Sequence, residues 1–457
     1  MENNAEKNYY KRIIKTILKY LLCTTILVIV FSLCLFLTAL ISRNVIEKNV
    51  QESSEILVKE GVTKNYTNFG EPTYTDNQTD AIMLNIVYSI DDKNIIESLI
   101  RARRNYIPGV TDKTIPDTIG NLKHEDKNYN MTTELKKLVD GSNQTSYEYA
   151  RYWHGYMIIL RPLLVLFNIT EIRIIFQCII YILIIILLVL LAKNKGIGYS
   201  ISLLITFVMS DLFNYFIVLQ GLFVIVVALL YSILISLKII NDKNLFISMF
   251  VVGGITQYFD FLTTPIISLL LPLIIYCIIN EEELSTREVI RKVFISFVLW
   301  GIGYSLLWSI KWVICDVTYC KEIIQKSIQQ VQFRTVAAID GYHIYDGLIY
   351  NIYFFFTGTN ISILIISLCL YFYNFFAGVI ISFQSNKKYI INHKIIKEIS
   401  LFSIIITVFW YFVLCQHSIQ HSFYTYRNIL IIYYSLMNIC YCDFSYIKQT
   451  FEKLKKL

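Results

Sequence analysis

Apolar and polar residues are arranged in long blocks along this chain. Runs of about 20 mostly apolar residues are separated by short polar segments, and a helix of about 20 apolar residues crosses the roughly 30 Å hydrocarbon core of a bilayer. The pattern therefore predicts ten transmembrane helices. They are expected at about 20–42, 172–193, 199–214, 216–239, 245–259, 261–279, 293–314, 360–383, 399–415 and 424–442. A shorter apolar stretch, 347–358, is predicted to be a half-helix.

Basic residues occupy the segments that this topology places inside the cell. Loops rich in Lys and Arg stay in the cytoplasm, so both termini are expected there. The predicted fold class is an all-α polytopic membrane protein with a large extracytoplasmic loop between its first and second spans. The expected regions are a cytoplasmic tail (1–19), the first transmembrane helix (20–42), an extracytoplasmic loop with interfacial helices (43–171), the transmembrane bundle (172–442) and a second cytoplasmic tail (443–457).

Composition supports a membrane location and disfavours other classes. The chain is 55% hydrophobic, with a mean hydropathy of +0.53, which is too apolar for a soluble protein of this size. Its net charge of +7 is dispersed in small clusters, so nucleic acid is not an expected partner. The first apolar block lacks a small-residue cleavage site and is expected to remain as a span. Abundant Ile, Asn, Lys and Tyr are typical of AT-rich bacterial genomes, so the expected location is a bacterial cytoplasmic membrane.

The stretch YARYWHGYMIILRPLL, residues 149–164, is apolar but carries charge. The chain is expected to be outside both before and after it, so the stretch is not a complete crossing. An amphipathic helix in the membrane interface, bent at Pro162, is the predicted form. Two roles stay open: an anchor with aromatic rings among lipid headgroups, or the rim of a site formed by Arg151, His154 and Arg161.

Ionisable residues gather near the outer ends of the predicted spans. Such groups are costly at membrane depth and are functional candidates. They are Asp80, Asp91, Asp92, Asp211, Asp260, Lys311, His417, His421 and Arg427. The predicted midplane offers little beyond Asn214 and Gln220, whereas carriers place polar groups there. The pattern therefore favours a site that opens to the outer leaflet.

Several candidates also have ordinary structural explanations. Asp260 can cap a turn ahead of Thr263, and Arg427 can reach the headgroups from one turn inside a span. His417 and His421 are four residues apart, as in some zinc sites, but no third ligand is evident. No cofactor is therefore assigned, and a divalent metal ion is an option without support.

Glycine and cysteine positions add two smaller expectations. The GGI and GIG sequences at 253–255 and 301–303 are expected to be helix packing points rather than nucleotide motifs. Cys315 and Cys320 lie near the outer surface in this topology, either as a disulfide pair or as two free thiols.

In layout the chain resembles the GT-C superfamily of integral-membrane glycosyltransferases. A first span precedes a long outer loop, and RPLLVLFNITEIRIIFQCIIYILIIILLVLLAKNKG (161–196) then resembles the segment that leads such enzymes into their next span. The final YTYRNILIIYY (424–434) is similar to the Arg-bearing last helices of some members. The acid of the family usually follows the first span closely, whereas Asp80 lies much further along the loop, so Asp91, Asp92 and Asp260 are rivals.

The resemblance implies an inverting reaction at the outer leaflet. Such enzymes take a sugar from a polyprenyl-phosphate donor, and the acceptor here would be a cell-envelope glycan or lipid. Asp80 would act as general base on the acceptor hydroxyl, and basic groups would hold the lipid phosphate as it leaves. The expected substrate contacts are Arg151, His154, Arg161, His417, His421, Tyr424 and Arg427.

Arg161 and Arg427 are expected at the same outer depth. Two cations at that depth repel unless an anion lies between them, so both are predicted to converge on one cavity near His154 and the Asp80 segment. Two other classes stay open. One is a flippase or transporter of lipid-linked saccharides, which needs a polar path deep in the bundle, and the other is a non-catalytic membrane scaffold.

Overall fold

Apolar helices make up most of the chain. The structure, a computed structural model, describes residues 2–61, 63–68, 71–106, 131–142, 145–210, 218–219, 221–335, 343–358 and 393–454. The helices of the first third are α1 Glu2–Ala39, α2 Arg43–Glu60, α3 Asn77–Tyr88, α4 Ile95–Arg101, α5 Met131–Val139 and α6 Met157–Leu163.

The remaining helices form a bundle. They are α7 Ile169–Lys195, α8 Ile197–Met209, α9 Leu222–Ser236, α10 Leu245–Phe259, α11 Ile267–Ile279, α12 Thr286–Thr318, α13 Ile323–Thr335, α14 Asp346–Gly358, α15 Lys394–Val413, α16 Cys415–Gln420, α17 Ser422–Thr425 and α18 Ile429–Leu454. A 3-10 turn, Tyr426–Asn428, precedes α18.

Within the described ranges, four helices are long and apolar enough to cross a membrane, and they agree with predicted spans. They are Asn8–Ala39, Ile169–Lys195, Thr286–Thr318 and Lys394–Val413, with four shorter apolar helices at Ile197–Met209, Leu222–Ser236, Leu245–Phe259 and Ile267–Ile279. The chain is thus a mostly helical membrane protein. The predicted span at 360–383 and the candidates Asp211, Asn214 and Gln220 lie outside the described residues, and the count of ten spans stays a prediction.

The long segment after the first helix contains strands that the sequence does not predict. We call the described part of residues 43–156 the cap. It has two antiparallel two-stranded sheets, β1 Thr63–Asn68 with β2 Glu71–Asp76, and β3 Arg103–Tyr106 with β4 Thr145–Glu148. The expectation of an all-α membrane protein holds for the mostly helical chain, and the two small sheets of the cap are additions to it. These strands are short and polar, so they lack the alternation of apolar residues that reveals a half-buried strand.

Polar contacts fix the cap to the start of α7. Asn168 caps α7 through a capping box with Glu171, which satisfies N–H groups that a helix end leaves open. The Asn168 amide also donates to Glu52 at 3.0 Å, and the Ile169 N–H donates to the Ser53 hydroxyl at 2.9 Å. The cap therefore has a defined position on the bundle.

Two glycines let α10 and α12 touch. A Cβ at Gly253 would lie 2.1 Å from the Trp300 carbonyl oxygen, and one at Gly303 would lie 2.1 Å from the Phe250 carbonyl oxygen. Both glycines are packing points, as predicted, whereas a Cβ at Gly301 would meet nothing within 4 Å. The close approach of the two helices brings the end of α10 beside the middle of α12.

Candidate functional site

The first part of the apolar stretch, residues 149–156, is not helical, and α6 begins only at Met157. Its rings are buried: Tyr152, Trp153 and Tyr156 each expose 3% or less. The expectation of one interfacial helix is therefore wrong for this part. The alternative in which these rings anchor the chain among lipid headgroups is also wrong.

Close contacts hold this segment on the ends of α10 and α12. The Gly155 N–H donates to the Tyr258 carbonyl at 2.9 Å, and a Cβ on Gly155 would lie 2.4 Å from the Tyr258 ring. Trp308 and Trp312 donate their indole N–H groups to the Arg151 carbonyl at 2.8 and 3.1 Å. A larger residue at position 155 would displace the segment.

His154 is held in one neutral tautomer. Its Nε2 lies 2.7 Å from the Tyr149 carbonyl oxygen and its Nδ1 lies 3.2 Å from the Tyr156 hydroxyl. Because a carbonyl only accepts, Nε2 carries the proton and Nδ1 accepts from the phenol. Burial lowers the pKa of His154 to about 3. Its ring lies 5.5 Å from that of Phe261, which joins this segment to the turn between α10 and α11.

Asp260 lies in that turn and is buried, with 1% exposed. Its Oδ1 accepts from the N–H and the hydroxyl of Thr263, both at 2.8 Å, and its Oδ2 accepts from the Tyr304 hydroxyl at 2.9 Å. Burial raises the pKa of this carboxyl, while the hydrogen bonds from Thr263 and Tyr304 oppose the rise. The capping contact expected from the sequence is present, and it leaves a buried acid beside α12.

Arg334, on α13, brings a buried positive charge to the same place. Its guanidinium donates to Nδ1 of His417, whose Nε2 donates to the Leu262 carbonyl at 2.7 Å. His417 is therefore neutral, because one nitrogen accepts and the other donates. Arg334 exposes 9%, and none of the described carboxylates lies within the 4.0 Å of an ion pair with it.

His421 and Tyr152 surround this charge. The His421 ring lies 4.8 Å from that of His417 and stacks on Tyr424 at 5.0 Å. Burial, with a smaller effect of the Arg334 charge, lowers the pKa of His421 to about 3. The Tyr152 phenol is within electrostatic range of both Arg334 and Asp260. We call Asp260, Tyr304, Arg334, His417 and His421 the Arg334 cluster.

Buried polar atoms next to the Arg334 cluster lack hydrogen-bond partners among the described residues. They include both amide atoms of Gln416 and the hydroxyl of Ser418, which flank His417 in the chain, and the hydroxyl of Thr264. Buried polar groups are normally satisfied, and each exception costs about 1–3 kcal/mol. A polar ligand or ordered water is the usual explanation for such a group of atoms.

Asp80, the preferred base, lies in a different network. Its Oδ2 accepts from Arg173 at 2.6 and 3.1 Å, and its Oδ1 accepts from the Leu219 N–H at 2.8 Å. Arg173 also contacts Glu60 at 3.1 Å and Asn77 at 2.9 Å. Asp80 is paired with the Arg173 cation, which makes its carboxylate a weaker base, whereas the hydrogen bonds to Asp260 come from the neutral Thr263 and Tyr304. This geometry therefore does not favour Asp80 over Asp260.

The other two acids of the loop stabilise turns. Asp91 and Asp92 are exposed. Asp91 accepts from the Lys93 N–H at 2.9 Å, and this bond contributes most to the lowering of its carboxyl pKa. Asp92 accepts from the Ser42 hydroxyl at 2.8 Å. Neither contacts the Arg334 cluster through these bonds.

Arg161 is fully buried and ties three elements together. It donates to the Ile41 carbonyl at 2.6 and 3.0 Å and to the Val87 carbonyl, and Asp92 lies 3.8 Å away. Burial lowers the pKa of Arg161 to about 10. These bonds to backbone oxygens give Arg161 a structural role as a link between elements, and its role as a phosphate ligand stays a prediction.

Arg427 and Arg151 occupy other places. Arg427 lies in the 3-10 turn, over the Tyr426 ring at 4.7 Å, and is 5% exposed. Arg151 is partly exposed, with its guanidinium 5.6 Å from the Tyr149 ring centroid. The expected convergence of Arg161 and Arg427 has no contact to support it, because their described partners lie on different elements.

A metal centre receives no support from the geometry. Within the part of the chain that the structure describes, no three His, Cys, Asp or Glu side chains gather in a way that could hold an ion. Both ring nitrogens of His417 take part in hydrogen bonds, so neither is available to bind a metal ion together with His421.

Sequence reasoning missed Arg334 and Tyr304. Arg334 lies in a polar segment that was taken as loop, although its helix buries Ile323, Ser327, Gln330 and Arg334 on one face. That spacing of three and four residues is the signal of a packed helix. Tyr304 is one of many tyrosines, and no pattern distinguishes it.

Comparison with known proteins gives no match: no protein-family model, no curated protein and no solved structure matches this chain.

Proposed function

We propose that the chain transfers a sugar from a polyprenyl-phosphate donor to a glycan or lipid acceptor at the outer face of the membrane, as an inverting GT-C-type glycosyltransferase. The observation that carries this proposal is the buried Arg334 guanidinium. Its only described partner is the neutral His417. A buried cation without a counter-ion is costly, and an anionic ligand removes that cost.

A phosphate on a membrane lipid is the anion that suits this position. The planar guanidinium can grip two phosphate oxygens at once. The neutral His417 fixes the orientation of Arg334 without competing for the anion, because a neutral imidazole carries no charge. Unsatisfied groups nearby, such as the Gln416 amide, would bind the remaining phosphate or sugar oxygens.

Asp260 is the acid that we assign as general base. It accepts the proton of the acceptor hydroxyl while that oxygen forms a bond to the sugar C1. The bond from C1 to the phosphate oxygen breaks, and its electron pair leaves on the polyprenyl phosphate. Arg334 stabilises the added negative charge on that leaving group. Hydrogen bonds from Thr263 and Tyr304 hold the carboxylate in place.

The segment 149–156 forms the side of this site. His154 and Tyr152 contact the Asp260 turn through Phe261, at ring distances of 5.5 and 5.4 Å. Arg151 is partly exposed beside them. We therefore keep Arg151, His154, His421 and Tyr424 as proposed substrate contacts and replace Arg161 with Arg334.

The test is mass spectrometry of envelope glycans and lipid-linked sugars from cells with and without the gene. The proposal expects a glycan to lose a sugar and the monosaccharide-linked polyprenyl phosphate to accumulate. Complementation with Asp260→Asn should fail at wild-type protein levels. Unchanged glycans and unchanged lipid-linked sugars would contradict the proposal.

Transport of a lipid-linked saccharide is the second candidate, and one observation favours it. Helices α15 and α18 pack together, and both carry fully buried polar side chains at helical spacing. They are Ser400, Ser403 and Thr407 on α15 and Ser435 and Asn438 on α18, all 0% exposed. Such a seam also serves as ordinary interhelical packing.

The same mass-spectrometric comparison separates the two functions. A lost transferase leaves the donor lipid accessible on the outer leaflet, whereas a lost flippase traps it inside. Protection of the accumulated lipid from an impermeant periodate reagent in intact cells would favour transport. Oxidation of its sugar by that reagent would favour transfer.

A further inference from the structure

Cys315 and Cys320 lie side by side where α12 ends. The Cys320 N–H donates to the Cys315 carbonyl at 2.8 Å, which folds the chain back on the last turn of the helix. Both side chains are buried, at 0% and 1% exposed, and both are free thiols that interact with each other. The fold therefore selects two of the ten cysteines and brings their sulfur atoms together.

The surroundings favour reaction between these two thiols. The Lys311 ammonium lies one turn before Cys315 and within interaction range of both sulfurs. It donates to the Leu99 and Ile100 carbonyls at 3.3 and 2.9 Å, and among the described carboxylates none pairs with it. A nearby cation favours the thiolate, which is the form that attacks a disulfide.

The location supplies the oxidising conditions. The predicted topology places the end of α12 outside the membrane, where disulfides form and persist. The pair also occupies a junction, because Cys315 contacts the Ile100 and Ala150 carbonyls of the cap at 3.4 and 3.5 Å and Cys320 leads directly into α13, the helix of Arg334. A bond here would fix the turn that positions α13.

We propose that Cys315 and Cys320 are joined by a disulfide in the mature protein. The thiolate of one cysteine attacks an oxidised dithiol protein at the cell surface, and the second thiol then displaces that protein from the mixed disulfide. The two cysteines lose two hydrogens and two electrons, and the oxidant is reduced to its dithiol. Oxidation takes place during folding, before both sulfurs are buried.

One digest of the full-length protein tests this. Free thiols are blocked in denaturant with a light alkylating reagent, disulfides are reduced, and the released thiols receive a heavy reagent. Cleavage after Lys and Arg gives a peptide, 312–321, that contains Cys315 and Cys320 and no other cysteine. A second peptide, 428–448, contains Cys440 and Cys442 and serves as the control.

The expected result is heavy label on both cysteines of 312–321 and light label on both cysteines of 428–448. Cys440 and Cys442 are two residues apart on one helix, where side chains at this spacing do not face each other, so no disulfide is expected between these two. Light label on both cysteines of 312–321 would overturn the proposal. Single variants, Cys315→Ser or Cys320→Ser, should convert the remaining cysteine to light label. Heavy label that persists in a single variant would also overturn the pair, since it would show a different partner.

Discussion

Two buried arginines of this protein have opposite electrostatic surroundings. Arg173 is 4% exposed and contacts Asp80 and Glu60 at 2.6 and 3.1 Å. Arg334 is 9% exposed and contacts the neutral His417, with no described carboxylate within ion-pair distance. Both side chains are buried, but of the two only Arg173 forms ion pairs with described carboxylates.

The difference separates a structural charge from a ligand-binding one. A buried ion pair holds elements in one arrangement, and removal of one partner leaves an uncompensated charge. A buried cation without an acid lowers stability until an anion arrives, so its presence indicates a ligand. By this criterion the Asp80 network joins the cap to α7, and the Arg334 cluster is the proposed substrate site.

The largest expected effect on turnover comes from substitution of the two buried acids, Asp260 and Asp80. Asp260→Asn keeps the size and the capping oxygen but removes the base, so transfer should fall by about 10²–10⁴-fold with little loss of folded protein. Asp80→Asn should instead reduce the amount of folded protein and leave the turnover of the remaining molecules unchanged. Turnover is measured on purified protein, per molecule that elutes as a single species.

If Asp80→Asn abolishes turnover while folding is intact, the two acids have the opposite roles. In that case the sequence-based choice of Asp80 as base would be correct.

The two arginines should differ in the sign of their effect on stability. Arg173→Gln leaves the buried Asp80 and the partly exposed Glu60 without their cation and should lower the free energy of unfolding by about 3–5 kcal/mol. Arg334→Gln removes a cation that lacks an acid, so stability without substrate should be unchanged or higher. Thermal unfolding of detergent-purified protein measures the stability of both variants. An equal loss of stability in the two would show that Arg173 and Arg334 do not differ in this way.

A glycine change tests how the 149–156 segment joins the cluster. Gly155→Ala would place a methyl group 2.4 Å from the Tyr258 ring, and such overpacking costs about 1–3 kcal/mol. Gly301→Ala is the matched control because no atom lies within 4 Å of its Cβ position. Turnover should fall with Gly155→Ala and stay unchanged with Gly301→Ala. Equal turnover in the two variants would show that the 149–156 segment is not part of the site.

Acidification should lower the free energy of unfolding gradually and by a smaller amount. Burial holds the pKa of His154 at about 3 in the folded protein, whereas an unfolded histidine titrates near pH 6.5. The folded-state pKa is depressed, so this stability is present above pH 6.5 and is lost as the pH falls toward 3. The slope is about 1.4 kcal/mol per pH unit for each such group.

The comparison that checks this is the unfolding temperature at pH 7.5 and pH 5.5. His154→Gln should show a shallower loss than wild type between these two values. An identical slope in the variant would mean that His154 does not titrate on unfolding.

The sequence predicted the apolar helices but not the pairing of charges. Apolar blocks near 172–193 and 293–314 are long and uniform, so their length alone indicates a span. Asp80 and Asp260 look alike in sequence, since each is a lone acid beside an apolar run. Only the fold shows that Arg173 contacts Asp80 and that Arg334 forms no ion pair with a described acid, because such contacts join residues far apart in the chain.

The strands of the cap escaped prediction for a related reason. β3 and β4 pair Arg103 with Glu148 and Tyr106 with Thr145, and a partner so distant in sequence leaves no local pattern. The segment 149–156 was misjudged because its aromatic residues suit a membrane interface as well as a protein interior. Contacts with Trp308, Trp312 and Tyr258 decide between these environments.

The most direct test of the central claim is binding of a polyprenyl phosphate to Arg334. The purified protein in lipid nanodiscs is titrated with polyprenyl phosphate, and polyprenol of equal length is the control without phosphate. A ligand at a hundredfold excess over its Kd stabilises a protein by about 2.7 kcal/mol. We predict that the phosphate, and not the alcohol, raises the unfolding temperature of wild type, that Arg334→Lys keeps part of the rise, and that Arg334→Gln loses it. An equal rise in wild type and Arg334→Gln would contradict the account.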